Sequence, residues 1–134
     1  MRTRIAAVGD SADAQSATGM LIRRCGFDVW VPADPGELLA GPLGAQTLCL
    51  FIDRPGKAGL WALEALRERG VLHPALLVAD ETDELPAARV DAAGVLAMLA
   101  RPVNPRELLS WLECLCVAQK YSRARIARSG KLAA

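Results

Sequence analysis

Short apolar runs alternate five times with amphipathic segments along this chain, the pattern of strands interleaved with helices. The first run is Ile5-Ala6-Ala7-Val8, closed by Gly9 and Asp10. Over residues 13–25, Ala14, Ala17, Leu21 and Cys25 share one helical face, with Gly26 as a stop. Residues 29–31 form a weaker second strand, and Asp34-Pro35 supplies the cap and first turn of a short helix through Leu38 and Leu39. The run Leu48-Cys49-Leu50-Phe51-Ile52 is apolar throughout, as expected of a central strand covered on both faces. A helix over 60–69 follows, stopped by Gly70. Then come a strand at 75–78, a helix at 82–93 with Pro86 near its first turn, and a strand at 95–99. The last helix has the clearest start: Asn104 as cap, Pro105 in the first position and Glu107 placed to close a capping box. Leu108, Leu112, Leu115 and Cys116 make its buried stripe.

Five strand–helix repeats with short connections predict an α/β fold, a doubly wound five-stranded parallel sheet of order 2-1-3-4-5 in the flavodoxin-like arrangement. Sites in such sheets form beyond the carboxyl ends of the strands, at the point where strand order reverses. Here that point lies between the first and third strands, which end in Asp10 and Asp53. Two carboxylates converging there offer an oxygen-rich place for Mg²⁺.

Composition refines this picture in three ways. The 134 residues are enough for one domain with its own core, and aromatics at 4% leave that core to Leu, Val and Ala. The net charge of +1 argues against wholesale nucleic-acid or membrane binding. That charge is uneven: five of the 16 basic residues (Lys120, Arg123, Arg125, Arg128, Lys131) and none of the 15 acidic ones lie beyond residue 118. A mildly acidic body over 1–118 therefore carries a basic segment at 119–134, either a tail or an extension of the last helix. Cys25, Cys49, Cys114 and Cys116 lack Cys-x-x-Cys spacing, so they are expected to be small core residues of a reduced, cytoplasmic protein. No run approaches the length of a membrane span.

At its strand ends, over roughly residues 3–118, the chain resembles the response regulator receiver (CheY-like) family. That family carries an acidic pair after the first strand, a phosphorylated Asp after the third, Ser or Thr after the fourth, and Lys-Pro after the fifth. Here the first position reads Val8-Gly9-Asp10-Ser11, so Asp10 matches one acid and Gly9 replaces the other. Counting forward from Gly26 puts the phosphoacceptor at Asp53, whereas holding Pro55 and Gly59 in the family's Pro-x-x-x-Gly register puts it at Phe51. Ala79 stands in place of Ser or Thr, and Arg101-Pro102 in place of Lys-Pro, with a cis bond implied between them.

The resemblance implies Mg²⁺ held by Asp10 and Asp53, and the departures work against it. One acid fewer weakens metal binding, Arg changes reach and hydrogen-bond shape relative to Lys, and Ala79 has no hydroxyl for a phosphoryl oxygen. Asp10 reads equally as a helix cap, and Arg101 as a structural partner of Asp10 or Asp53. The leading expectation is a degenerate, single-domain receiver: not an enzyme, with no catalytic residue, acting through protein contact. Its partner is expected to be a histidine kinase, a downstream regulator or a second copy, docked on the fourth helix, fifth strand and fifth helix at about 87–112. Two rivals stand beside it: a phosphoaccepting receiver in a phosphorelay, with Asp53 as acceptor, and a nucleic-acid-binding module using the basic tail.

Overall fold

The structure is a computed structural model that describes residues 3–9, 17–32, 37–38, 47–54, 56–80 and 82–133 and, for residues 9, 17–18 and 122–133, the backbone alone. Its elements are β1 (Arg4–Gly9), α1 (Ala17–Arg24), β2 (Asp28–Trp30), β3 (Thr47–Asp53), α2 (Ala58–Glu68), β4 (Ala75–Ala79), α3 (Ala87–Ala92), β5 (Val95–Ala100) and α4 (Pro105–Ala133). The short helix expected near 34–39 falls outside the described residues except for Glu37 and Leu38, both helical. The third, fourth and fifth expected helices are therefore α2, α3 and α4.

The five strands form one parallel sheet in the order β2-β1-β3-β4-β5, as the alternation predicts. All seven residues of β3 are buried, because a central strand with helices on both faces has no solvent side. Alternate side chains divide the core in two. Leu50, Ile52 and Leu77 pack with Leu60, Leu63 and Leu66 of α2 and Val90 of α3. Cys49, Phe51, Leu76 and Val78 pack on the other face with Ile22 of α1 and with Leu108, Leu112 and Leu115 of α4. Removing a fully buried side chain of this size costs about 2–5 kcal/mol, so each face carries a large share of the stability.

Gly26 and Gly70 stop α1 and α2 as expected. Their φ angles of +93° and +86° lie where a Cβ is disfavoured. Their amides return to Arg23 and Arg67 carbonyls at 3.0 Å each. Arg67 does more. Its guanidinium donates to the carbonyls of Val71 (2.9 Å) and His73 (2.7 Å), which lead into β4, and of Ala93 (2.8 Å) and Gly94 (3.2 Å), which lead into β5. One side chain thus satisfies the backbone at the amino ends of two neighbouring strands.

Two expectations are corrected. The fourth helix begins at Ala87 and not at 82. The Asp80 amide donates to Asp83 Oδ2 at 2.8 Å, turning the chain. Pro86 is extended, with ψ at 116°, so the helix starts only after it. Cys114 is exposed, whereas Cys49 is buried and Cys25 and Cys116 are half-buried; all four are free thiols. Burial, reinforced by nearby Cys116, pushes the Cys49 thiol up to about 12. Burial and then the charge of Glu113 also raise Cys25.

The last helix starts as its sequence directs. Asn104 Oδ1 accepts the Arg106 amide at 2.9 Å and the Glu107 amide at 3.3 Å. It then continues for 29 residues, roughly 43 Å at the standard rise. No described helix is long and apolar enough to cross a membrane.

Candidate functional site

Four strand ends meet at the carboxyl edge of the sheet. Gly9, the last residue of β1, pairs in register with Asp53, the last of β3. Asp53 in turn pairs with Val78 of β4. Ala79 and Ala100 pair at the ends of β4 and β5, which brings Asp80 and Arg101 side by side just beyond the sheet. The topology therefore gathers residues that lie up to 92 positions apart.

Asp53 is one of two polar residues buried among the described ones, at 7% exposure. A carboxylate so placed needs charged or hydrogen-bonding neighbours. Arg101 supplies them: its Nε donates to Asp53 Oδ1 at 3.1 Å, and its Nη2 donates to the same oxygen. Its Nη1 reaches Asp80 Oδ2 at 3.1 Å. Partial burial alone would lower the guanidinium's pKa, but the hydrogen bonds and charges of Asp53 and Asp80 outweigh it and the net shift is upward. The Arg101 amide also donates to the Ala79 carbonyl at 3.3 Å, tying β5's end to β4's. The Arg101–Pro102 bond is cis.

The expected site residues are thus brought together where they are described. Asp53, Ala79, Arg101 and Pro102 cluster at the carboxyl edge with Gly9 beside them, while Asp10 lies outside the described residues. Asp53 ends its strand. Phe51 sits two residues inside, fully buried and in register with Leu76. Arg101 was expected to pair with Asp10 or Asp53, and its second carboxylate, Asp80, was missed. The signal was present: Asp80 follows β4 as Arg101 follows β5, and neighbouring parallel strands place their ends together.

The arrangement has a consequence for cations. Among the described residues no group of three or more His, Cys, Asp or Glu side chains could hold a metal ion. The two carboxylates described at the edge are bridged by a guanidinium, and Asp53 Oδ1 already accepts two N–H bonds. What they form is a fixed charge triad, with one cation between two anions at the mouth of the sheet.

No known family model matches the sequence, and no curated protein does. Solved structures match it closely in shape. A response regulator receiver protein from Pseudoalteromonas atlantica aligns with a TM-score of 0.70 at 18% identity, covering 86% of this chain and 98% of its own. A CheY-like response regulator receiver domain protein from Methanospirillum hungatei gives 0.71 at 22%, covering 91% and 99%. The Vibrio cholerae chemotaxis protein CheY4 gives 0.66 at 24%, covering 86% and 99%. At such identities the likeness speaks for the backbone arrangement, and on that ground the chain has the receiver fold.

Proposed function

We propose that this chain is a receiver-type signalling module that acts by contact with another protein, and that aspartyl phosphorylation at Asp53 is impaired or absent. The observation that carries this reading is the double engagement of Asp53 Oδ1 by Arg101. Phosphoryl transfer to an aspartate needs a free carboxylate oxygen in line with the donor and a cation to neutralise the developing charge. Arg101 supplies positive charge at that place, but in a planar fork that engages one of the two carboxylate oxygens and holds the group's orientation. Gly9 contributes no second acid, and Ala79 no hydroxyl to bond a phosphoryl oxygen. The triad holds Asp53 as an ion-paired strut.

The fold's usual counterparts, a histidine kinase or a downstream regulator, are the partners this reading assigns. The docking face is the one formed by α3, β5 and the start of α4, at about 87–112. Leu96 and Met98 of β5 stand 41% and 43% exposed there, and apolar side chains left open at the centre of a face favour a protein partner.

The test is Mg²⁺-dependent binding of beryllofluoride, followed by ¹⁹F NMR on the full chain. We expect no saturable bound signal at millimolar Mg²⁺. A saturable signal that disappears in Asp53→Asn would overturn the reading and make Asp53 a working phosphoacceptor.

A further inference from the structure

The outer face of α4 carries an apolar stripe with no covering element among the described residues. Ser110, Cys114, Val117 and Tyr121 recur at the alternating four- and three-residue spacing of a helix–helix seam. They lie on the side of the helix opposite Leu108, Leu112 and Leu115, which face the core. Val117 is 67% exposed and Tyr121 69%. Glu113 and Ala118 border the stripe on the same open face. The Ser110 hydroxyl is already satisfied, donating to the Arg106 carbonyl at 2.9 Å, so covering the stripe strands no polar group there.

We infer that this stripe pairs with the same stripe of a second copy of the chain, the two helices running antiparallel. The argument is charge complementarity. Glu113 and Lys120 flank the seam on one side, two turns apart and both exposed, and neither forms an ion pair with a described residue. An antiparallel pair sets such flanking positions of one helix against those of the other. The register that puts Glu113 opposite Lys120 of the second copy does so twice, by symmetry. The same register sets Tyr121 against Ser110 and Val117 against Cys114, large against small, which lets the two stripes interdigitate. A parallel pair would make none of these matches. The seam lies apart from the charge triad at the sheet edge and does not depend on the signalling role assigned above.

The test is sedimentation equilibrium on the full chain with charge reversals. Wild type should show a concentration-dependent dimer. Glu113→Lys and Lys120→Glu should each weaken it about tenfold or more, because two attractions become two repulsions. The double variant, carrying both reversals, should recover wild-type association. Val117→Glu should abolish dimerisation with an unchanged far-UV circular dichroism spectrum, the residue being exposed. A wild-type chain that stays monomeric at the highest soluble concentration overturns the inference. So does a dimer indifferent to both reversals, or one that the double variant fails to restore.

Discussion

Two arginines hold the two ends of the same pair of strands, and they do it by opposite means. Arg67, on α2, reaches the amino ends of β4 and β5 and gives all its described hydrogen bonds to neutral carbonyls of Val71, His73, Ala93 and Gly94. Arg101, at the carboxyl end, gives its side-chain bonds to the charged groups of Asp53 and Asp80. Carbonyls of the main chain cannot move away without unfolding the loops that carry them. Carboxylates can be protonated, screened or claimed by another cation. The amino edge is therefore a fixed frame, and the carboxyl edge is held by bonds that solution conditions can weaken.

The largest expected effect breaks the frame. Arg67→Ala leaves several part-buried carbonyls without a donor and should cost about 3 kcal/mol in urea unfolding. Arg67→Lys should recover less than half, because an ammonium cannot span four acceptors set in a fork. A loss below about 1 kcal/mol for the alanine variant would place Arg67 among ordinary surface residues.

Alkaline pH separates both edges from the strand between them. Arginine keeps its proton throughout the accessible range, so neither edge titrates. Cys49 does: its thiol is raised in the fold to about 12, above its unfolded value. Its contribution is full below the unfolded value near 9 and is lost as pH climbs toward 12. At pH 10.5 wild type should have lost about 2 kcal/mol relative to Cys49→Val, each measured against its own stability at pH 8. Parallel pH profiles for the two proteins would count against this.

The smallest effect sits at the carboxyl edge. Arg101→Met should cost about 1.5 kcal/mol at low salt, since it strips the buried Asp53 carboxylate of its cation while water enters where the partly exposed guanidinium lay. The difference from wild type should shrink toward 1 M NaCl, whereas the Arg67→Ala deficit should not change with salt. Equal salt dependence of the two variants would erase the contrast between the edges.

The sequence made the core strands legible for a physical reason. A strand covered on both faces must be apolar at every position, and residues 48–52 say so without reference to anything else. Asn104-Pro105 was equally plain, because a cap acts within one turn. Long-range polar contacts were less visible. Arg67 reads as one more charge in a helix rich in them, and nothing local announces that its partners lie as many as 27 positions away. Asp83 masked the true start of α3, since its bond to the Asp80 amide competes with a helical turn that propensity alone would favour. At the site the strand ends could be named in advance, and Asp53 as one of two candidate partners for Arg101, but not the second carboxylate that Arg101 takes. Asp80 joined Asp53 in the triad because β4 and β5 end together, a fact of register that no single segment carries.

The sheet's two rims also differ in how far they guard the protein against faulty association. The β2 rim is three residues long, too short to template much pairing. The β5 rim runs six residues and carries the apolar side chains of Leu96 and Met98 in solvent. A strand of that length with an open hydrogen-bonding side accepts stray strands from other chains. Pro102, which lacks an amide hydrogen, ends the run soon after Ala100 and limits how far such a pairing could zip. On heating, aggregation is therefore expected to begin at β5, and Met98→Lys should raise its onset temperature in light scattering.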